Sequence, residues 1–180
     1  MCWEVGENVI KLANKEDIDI IMTIIDNCKI EMNQKHNLQW NFQDDYPSKA
    51  KMLNDIENQM LYKYTEGRII KGFLTIQFDE DREYDSLIKN SPDKAYIIHR
   101  LAVAKEYRQQ GVAVKLMRFA EKKALSDNIY IIKIDTEENN YEMNHLLKKM
   151  NYNFIGNFTY DDYPGCYNYY EKLLKRSENL

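Results

Sequence analysis

The stretch Arg108-Gln109-Gln110-Gly111-Val112-Ala113 is where residue types and spacing first imply chemistry. It follows an apolar run, Ala95 to Val103, and a short polar loop, Ala104-Lys105-Glu106-Tyr107, and it opens into residues of helical period. A helix start presents N–H groups without intrahelical partners at the positive end of the helix dipole, and together these make an anion site. Gly111 allows close backbone approach, Ala113 keeps the first turn unobstructed, and Lys105 and Arg108 add positive charge. The combination suits a pyrophosphate held mostly by main chain. Taken alone, the six residues are equally an ordinary strand–loop–helix with a glycine near the cap. The chain has six glycines in all, Gly6, Gly67, Gly72, Gly111, Gly156 and Gly165, which excludes both the GxGxxG fingerprint and the GxxxxGK[ST] loop. Any phosphate cradle here works with one glycine.

The elements that must position this loop follow from periodicity. Glu7 to Asn14 reads as a short strand. From Lys15 the period changes, and Ile18, Ile21, Ile25, Cys28 and Met32 form one stripe of an amphipathic helix with Glu16 and Asp17 in its first turn. A polar loop from His36 to Pro47 carries Trp40, Phe42 and Tyr46, and Ser48 is placed to cap a second helix through Leu53 and Ile56. Leu61 to Thr65 and Ile69 to Phe78, joined through Glu66-Gly67-Arg68, read as a hairpin, and Asp79 to Asp85 as a solvated connection. Ala95 to Val103 is apolar enough for a strand covered on both faces. A helix over Gly111 to Ser126, a buried strand over Ile129 to Ile134, a helix face at Met143, Leu146, Leu147 and Met150, and two strands between Tyr152 and Leu174 complete the order β-α-α-β-β-β-α-β-α-β-β.

With 180 residues and no repeat or linker, this predicts one domain over residues 1–180, an α/β fold with a mixed sheet. The hydrophobic share of 44%, with 14 Tyr, 6 Phe and 2 Trp, suffices for a core. Twenty-five Lys+Arg against 29 Asp+Glu leave a net charge of -4, which argues against a nucleic-acid footprint. No apolar run approaches the ~20 residues that cross a bilayer, so no membrane partner is expected. Met1-Cys2-Trp3-Glu4 lacks the basic start and apolar stretch of a leader, and Cys2, Cys28 and Cys166 are odd in number and far apart. A cytoplasmic location is the expectation. His36, His99 and His145 show no HExxH, no serine has a GxSxG surround, and the acidic runs lack calcium-loop spacing, so no metal is expected.

The segment from His99 to Asn151 resembles the GNAT superfamily of N-acetyltransferases. The family's [RQ]-x-x-G-x-[GA] motif corresponds to Arg108–Ala113, preceded by Leu101-Ala102-Val103 where L-x-V is usual. Its N-x-x-A-x-x-L-Y-x-x-x-G-F pattern is similar to Asn140 through Tyr152, and the element order covers roughly the whole chain. Gln39-Trp40, Tyr46-Pro47, His99-Arg100-Leu101-Ala102-Val103 and Asp135-Thr136 further resemble a subgroup of small bacterial members whose substrates are mostly unassigned. The resemblance implies a mostly antiparallel sheet of about seven strands flanked by about four helices, with the fourth and fifth strands splayed. It implies acetyl-CoA as co-substrate, with pantetheine between those strands against the main chain of Leu101, Ala102 and Val103. The pyrophosphate would sit on Arg108, Gln109, Gln110, Gly111, Val112 and Ala113, and Asn140 would reach a pantetheine amide. Two positions depart from the pattern. The family's frequent Tyr general acid falls at Leu147, and the usual Gly-Phe is Asn151-Tyr152, where Asn tolerates the left-handed cap.

The implied reaction is acetyl transfer to a primary amine of a small molecule or peptide by direct attack in a ternary complex. A lysine-type amine has a pKa near ~10.4, so a base is needed. The candidate is His99, expected on the same side of its strand as Leu101 by period-two alternation and titrating near neutral pH; the alternative is a core histidine satisfied by packing. Asp135 is a second catalytic candidate or an orienting partner, the alternative being a turn cap. Trp40 and Tyr46, with Asp44 and Asp45, would wall an acceptor cleft suited to a cationic amine, or else anchor their loop to the core. Tyr160, Tyr163, Tyr167, Tyr169 and Tyr170 would serve strand packing, a homodimer surface or a pocket lid. A non-catalytic acyl-CoA-binding regulator and a protein or peptide acetyltransferase remain the alternative functions.

Overall fold

In the computed structural model, residues 8–43, 45–78, 94–159 and 165–175 are described. The elements are β1 (Asn8–Leu12), α1 (Ile18–Gln34), α2 (Lys49–Glu57), β2 (Leu61–Glu66), β3 (Ile69–Phe78), β4 (Ala95–Val103), α3 (Val112–Ser126), β5 (Ile131–Glu137), α4 (Tyr141–Lys149), β6 (Asn153–Phe158) and β7 (Tyr167–Leu173), with single 3-10 turns at Lys15–Asp17 and Lys105–Tyr107. This is the order expected from periodicity. The local signals explain the starts. The Asn14 side chain accepts from the Glu16 N–H at 3.0 Å while Asp17 accepts from the Asn14 N–H at 2.7 Å, a reciprocal cap ahead of α1. Ser48 Oγ accepts from the Lys51 N–H at 3.1 Å and starts α2. Some boundaries differ: β1 ends at Leu12, and β5 begins at Ile131, after Asn128 at φ 59° has turned the chain out of α3, and runs on to Glu137.

The seven strands form one sheet in the order β1-β2-β3-β4-β5-β7-β6. Every neighbouring pair is antiparallel except β4 and β5, which run parallel with α3 as their crossover. One face is covered by α3 and α4 and buries Leu74, Ile76, Ile98, Leu116, Ile132 and Leu147; the other is covered by α1 and α2 and buries Ile21, Ile25, Met52, Leu61, Phe73 and Trp40. Burial on both faces explains why β4 is mostly apolar, with His99 and Arg100 as its polar exceptions. Of the tail tyrosines, Tyr167, Tyr169 and Tyr170 are buried in β7, so strand packing accounts for them; Tyr160 and Tyr163, and the stretch Asp79 to Asp85, lie outside the described residues.

Two irregularities in β4 shape everything that follows. Its pairing with β5 covers only Ala95↔Ile131, Tyr96↔Ile132 and Ile97↔Lys133, and beyond Ile97 the two strands part. Its pairing with β3 shifts between Phe73↔Ala102 and Thr75↔His99, so that Arg100 and Leu101 together oppose Leu74, a β-bulge. Just past the bulge, Gly72 opposes Val103, and a Cβ at Gly72 would lie 2.7 Å from the Ala102 carbonyl oxygen and 3.2 Å from Val112 Cγ1. This glycine lets the first turn of α3 pack directly on β3. Although glycine normally weakens a strand, Gly72→Ala is expected to lower Tm through overpacking of about 1–3 kcal/mol. A melting curve at or above wild type would show that α3 is not seated this tightly.

Candidate active site

Where β4 and β5 part, a cavity of about 940 Å³ opens, bordered by β4 from Ile98 to Val103, by β5 from Ile134 to Thr136, and by the starts of α3 and α4. At one end lies the α3 N-terminus. Gly111 caps it at φ 77° and ψ 9°, no side chain caps the first turn, and Gln109 is also left-handed at φ 60°. A Cβ built on Gly111 meets nothing within 4 Å, so glycine is required here for its backbone angle and the space in front is open. Gln110 turns its side chain onto its own loop, donating to the Glu106 carbonyl at 2.9 Å. Val112, Ala113 and Val114 also border the cavity, so a group entering at this end meets the main-chain N–H groups of the α3 start, which no side chain caps.

The Arg108 side chain is engaged within the fold. Its Nε donates to the Val103 carbonyl at 3.1 Å, Nη1 pairs with Glu31 of α1, and Nη2 lies 3.5 Å from Cys28 Sγ. Lys105 Nζ is also 3.3 Å from Glu31. Burial works against the Glu31 charge, yet the bonds and charges of Arg108 and then Lys105 hold its carboxyl below the usual carboxylate range. Thus Glu31 already balances the positive charge that the sequence placed on this loop. Asn140 is likewise occupied locally: it caps α4 by accepting from the Met143 N–H at 3.3 Å and donates to Gln39 Oε1 at 3.2 Å. The same Gln39 oxygen accepts from Thr136 Oγ1 at 3.0 Å, which ties the loop after α1 to the end of β5.

His99 pairs with Thr75, whose hydroxyl bonds Asp55 of α2, and so His99 faces the α1–α2 side; Leu101 packs with the core under α3. The two do not share a side of β4, because the bulge between them breaks the alternation of two. His99 does share a sheet face with Asp135, and both border the cavity. Ile97 and Lys133 are opposite one another, and two residues further each strand brings His99 and Asp135 to the same face on either bank of the opening. His99 also does not titrate near neutral pH. Burial, and then the charges of Arg100 and Lys51, push its imidazole down to about 3, so it is held neutral.

Trp40 is 4% exposed and packs into the α1–α2 core while bordering the cavity, and the half-buried Tyr46 accepts from Arg100 Nη1 at 3.1 Å. The acidic wall expected beside them is not formed by Asp45, whose side chain is 77% exposed and lies 3.6 Å from Lys29; Asp44 is outside the described residues. Leu147 is fully buried in the core. Gln39, Lys51 and Arg100 border the cavity without having been singled out for a role; Gln39 and Arg100 take their places from partners 97 and 45 residues away, and Lys51 stands near Asp55 one helical turn on.

The profile of the Acetyltransferase (GNAT) family matches residues 26–152, more than half of the chain. No curated protein matches. Among solved structures, a GNAT-family acetyltransferase from Streptococcus agalactiae 2603 superposes with a TM-score of 0.82 at 22% identity, covering 97% of this chain and 99% of that one. A putative acetyltransferase from Staphylococcus aureus Mu50 gives a TM-score of 0.69 at 24% identity over 93% and 99% of the two chains. A putative acetyltransferase from Salmonella typhimurium, solved with its cofactor acetyl-CoA, gives 0.70 at 12% identity over 97% and 98%. With the strand parting, the uncapped helix start and the family profile in agreement, the chain belongs to the GNAT family of acetyltransferases.

Proposed function

We propose that this protein is an acetyl-CoA-dependent N-acetyltransferase that acts on a primary amine by direct attack in a ternary complex. The observation that carries the reading is the parting of β4 from β5 beside the uncapped α3 N-terminus. These features fit acetyl-CoA. A strand edge without a partner suits the amide-rich pantetheine arm, and open space before Gly111 suits a diphosphate. The main chain of Leu101, Ala102 and Val103 would hold the arm, and that of Gln109 to Ala113 the diphosphate, with Asn140 at the arm's far bank. The Salmonella relative solved with acetyl-CoA supports the assignment. Bound there, acetyl-CoA supplies the acetyl group as a thioester.

The chain's own residues do the rest. Unpaired N–H groups of β4 would stabilise negative charge developing on a carbonyl oxygen, and they are already fixed by the ladder to β3. His99, neutral over the physiological range, takes a proton from the amine as the new N–C bond makes that nitrogen acidic. Asp135, across the opening, orients the amine or shares the proton. Leu147 gives no proton, so the thiolate leaves without help from that position.

Addition of acetyl-CoA should raise Tm, and thiol release should follow when a panel of amines is added. No shift at saturating acetyl-CoA would count decisively against the reading. A shift with no thiol release from any amine would favour a binding module instead. Glu31→Gln provides a finer check. It frees Arg108 and Lys105 for the diphosphate, so Kd for acetyl-CoA should fall about 2- to 5-fold, the worth of a partly exposed ion pair. Weaker binding would show that Glu31 is needed to shape the loop.

A further inference from the structure

Arg100 occupies its place at a cost. Its φ of 51° lies in the left-handed region, rare for a residue with a side chain, and it sits in the bulge of β4. The bulge sends Arg100 to the α2 side with His99, where regular alternation would point it under α3. There its side chain is 3% exposed: Nε donates to Asp55 Oδ2 at 2.7 Å, Nη1 donates to the Tyr46 hydroxyl at 3.1 Å, and Nη2 is buried with no hydrogen-bond partner among the described residues. A buried ion pair rarely repays its own desolvation, and a buried donor left unpaired adds to the cost, so stability does not explain this arrangement. Arg100 does border the cavity, and so does Lys51, whose Nζ stands 3.9 Å from Asp55 Oδ1. On the opposite bank is Asp135, while Asp45 turns outward toward Lys29. The acceptor end therefore has cationic donors on one wall and a carboxylate on the other.

We propose that the acceptor is a small amine bearing its own carboxylate, an amino acid or a close analogue, with the carboxylate received by Arg100 and Lys51 and the amine directed to His99 and Asp135. The proposal rests on the acetyltransferase reading above. The planar guanidinium is suited to a carboxylate, and Nη2 has the donor to give. As the side chains stand Nη2 is closed to solvent, and Tyr46, half-buried on its loop, is the neighbour that yields. Arg100 and Lys51 are also the two cations that, after burial, hold His99 down. A docked carboxylate offsets them, so the imidazole becomes a better base as the acceptor arrives.

The test is thiol release with the common α-amino acids, their carboxamides, and short peptides with free N-termini. At least one amino acid should exceed its carboxamide in kcat/KM by ~30-fold or more, the loss expected when a charge-assisted bond to a buried donor is removed. Peptides should follow the carboxamides unless an acidic residue stands first. Asp55→Asn combined with Arg100→Gln removes both members of the ion pair, so neither charge is orphaned, and Lys51→Met alters a half-exposed side chain. In both variants the acid-over-amide preference should shrink to within about 3-fold, chiefly through KM, with the Tm shift from acetyl-CoA retained. Carboxamides, polyamines or peptides used as well as the free acids would overturn the proposal while leaving the acetyltransferase reading intact. So would variants that keep the preference, or a failure of every amino acid both to react and to stabilise the acetyl-CoA-bound protein. If acetyl-CoA itself does not bind, both readings fall.

Discussion

Gly111→Glu should abolish the Tm shift produced by acetyl-CoA and lower kcat/KM by about 1,000-fold. Two costs combine. At φ 77°, any L side chain strains the backbone by about 1–2 kcal/mol, which acts on folding and is visible without ligand. The larger cost is electrostatic. Nothing stands within 4 Å of a Cβ at this position, so the new carboxylate has open space beside the α3 N-terminus and competes for the N–H groups and dipole that the proposed diphosphate would use. Losing two charge-assisted hydrogen bonds at about 1.5–3 kcal/mol each gives the thousandfold figure. Gly111→Ala separates the two: it carries the strain without the charge, and should lose about 1 kcal/mol of stability while keeping a clear acetyl-CoA shift. A normal shift in Gly111→Glu would place the diphosphate elsewhere.

His99→Ala should reduce kcat at least ~100-fold with Kd for acetyl-CoA unchanged, because the side chain lies on the α1–α2 side of the opening, on the same face as Asp135, and away from the α3 start where the diphosphate is proposed to sit. His99→Gln, which keeps bulk and hydrogen bonding and lacks a usable basic nitrogen, should lose as much. The effect on stability has a definite sign. His99 titrates near 3 when folded and near its ordinary ~6.5 when unfolded, so between these values the unfolded chain binds the extra proton. Its contribution is therefore complete above about pH 6.5 and lost as the pH falls toward 3. In His99→Gln that share of the acid destabilisation should disappear, leaving a flatter profile of Tm between pH 6.5 and 4. Near-normal turnover with the flattened profile would make His99 a packing residue only.

The helix start at Gly111 and the element order were legible as residues in a row because both are short-range. A cap such as Ser48 or Asn14 acts within three residues, an apolar stripe such as Ile18, Ile21 and Ile25 repeats within one turn, and a helix start needs no distant partner to present free N–H groups. Gly111 and the loop around it therefore stood where they were expected. The acceptor end was not legible in the same way. The alternation of two placed His99 beside Leu101, and one extra residue in β4 reversed that, an event decided by the register with β3 and invisible along the strand itself. Arg100 is held in place by Asp55 and Tyr46, 45 and 54 residues away, Arg108 is claimed by Glu31 at 77, and Gln39 bridges to Thr136 at 97. Such pairings depend on which charges share a low-dielectric space, and only the packed chain determines that.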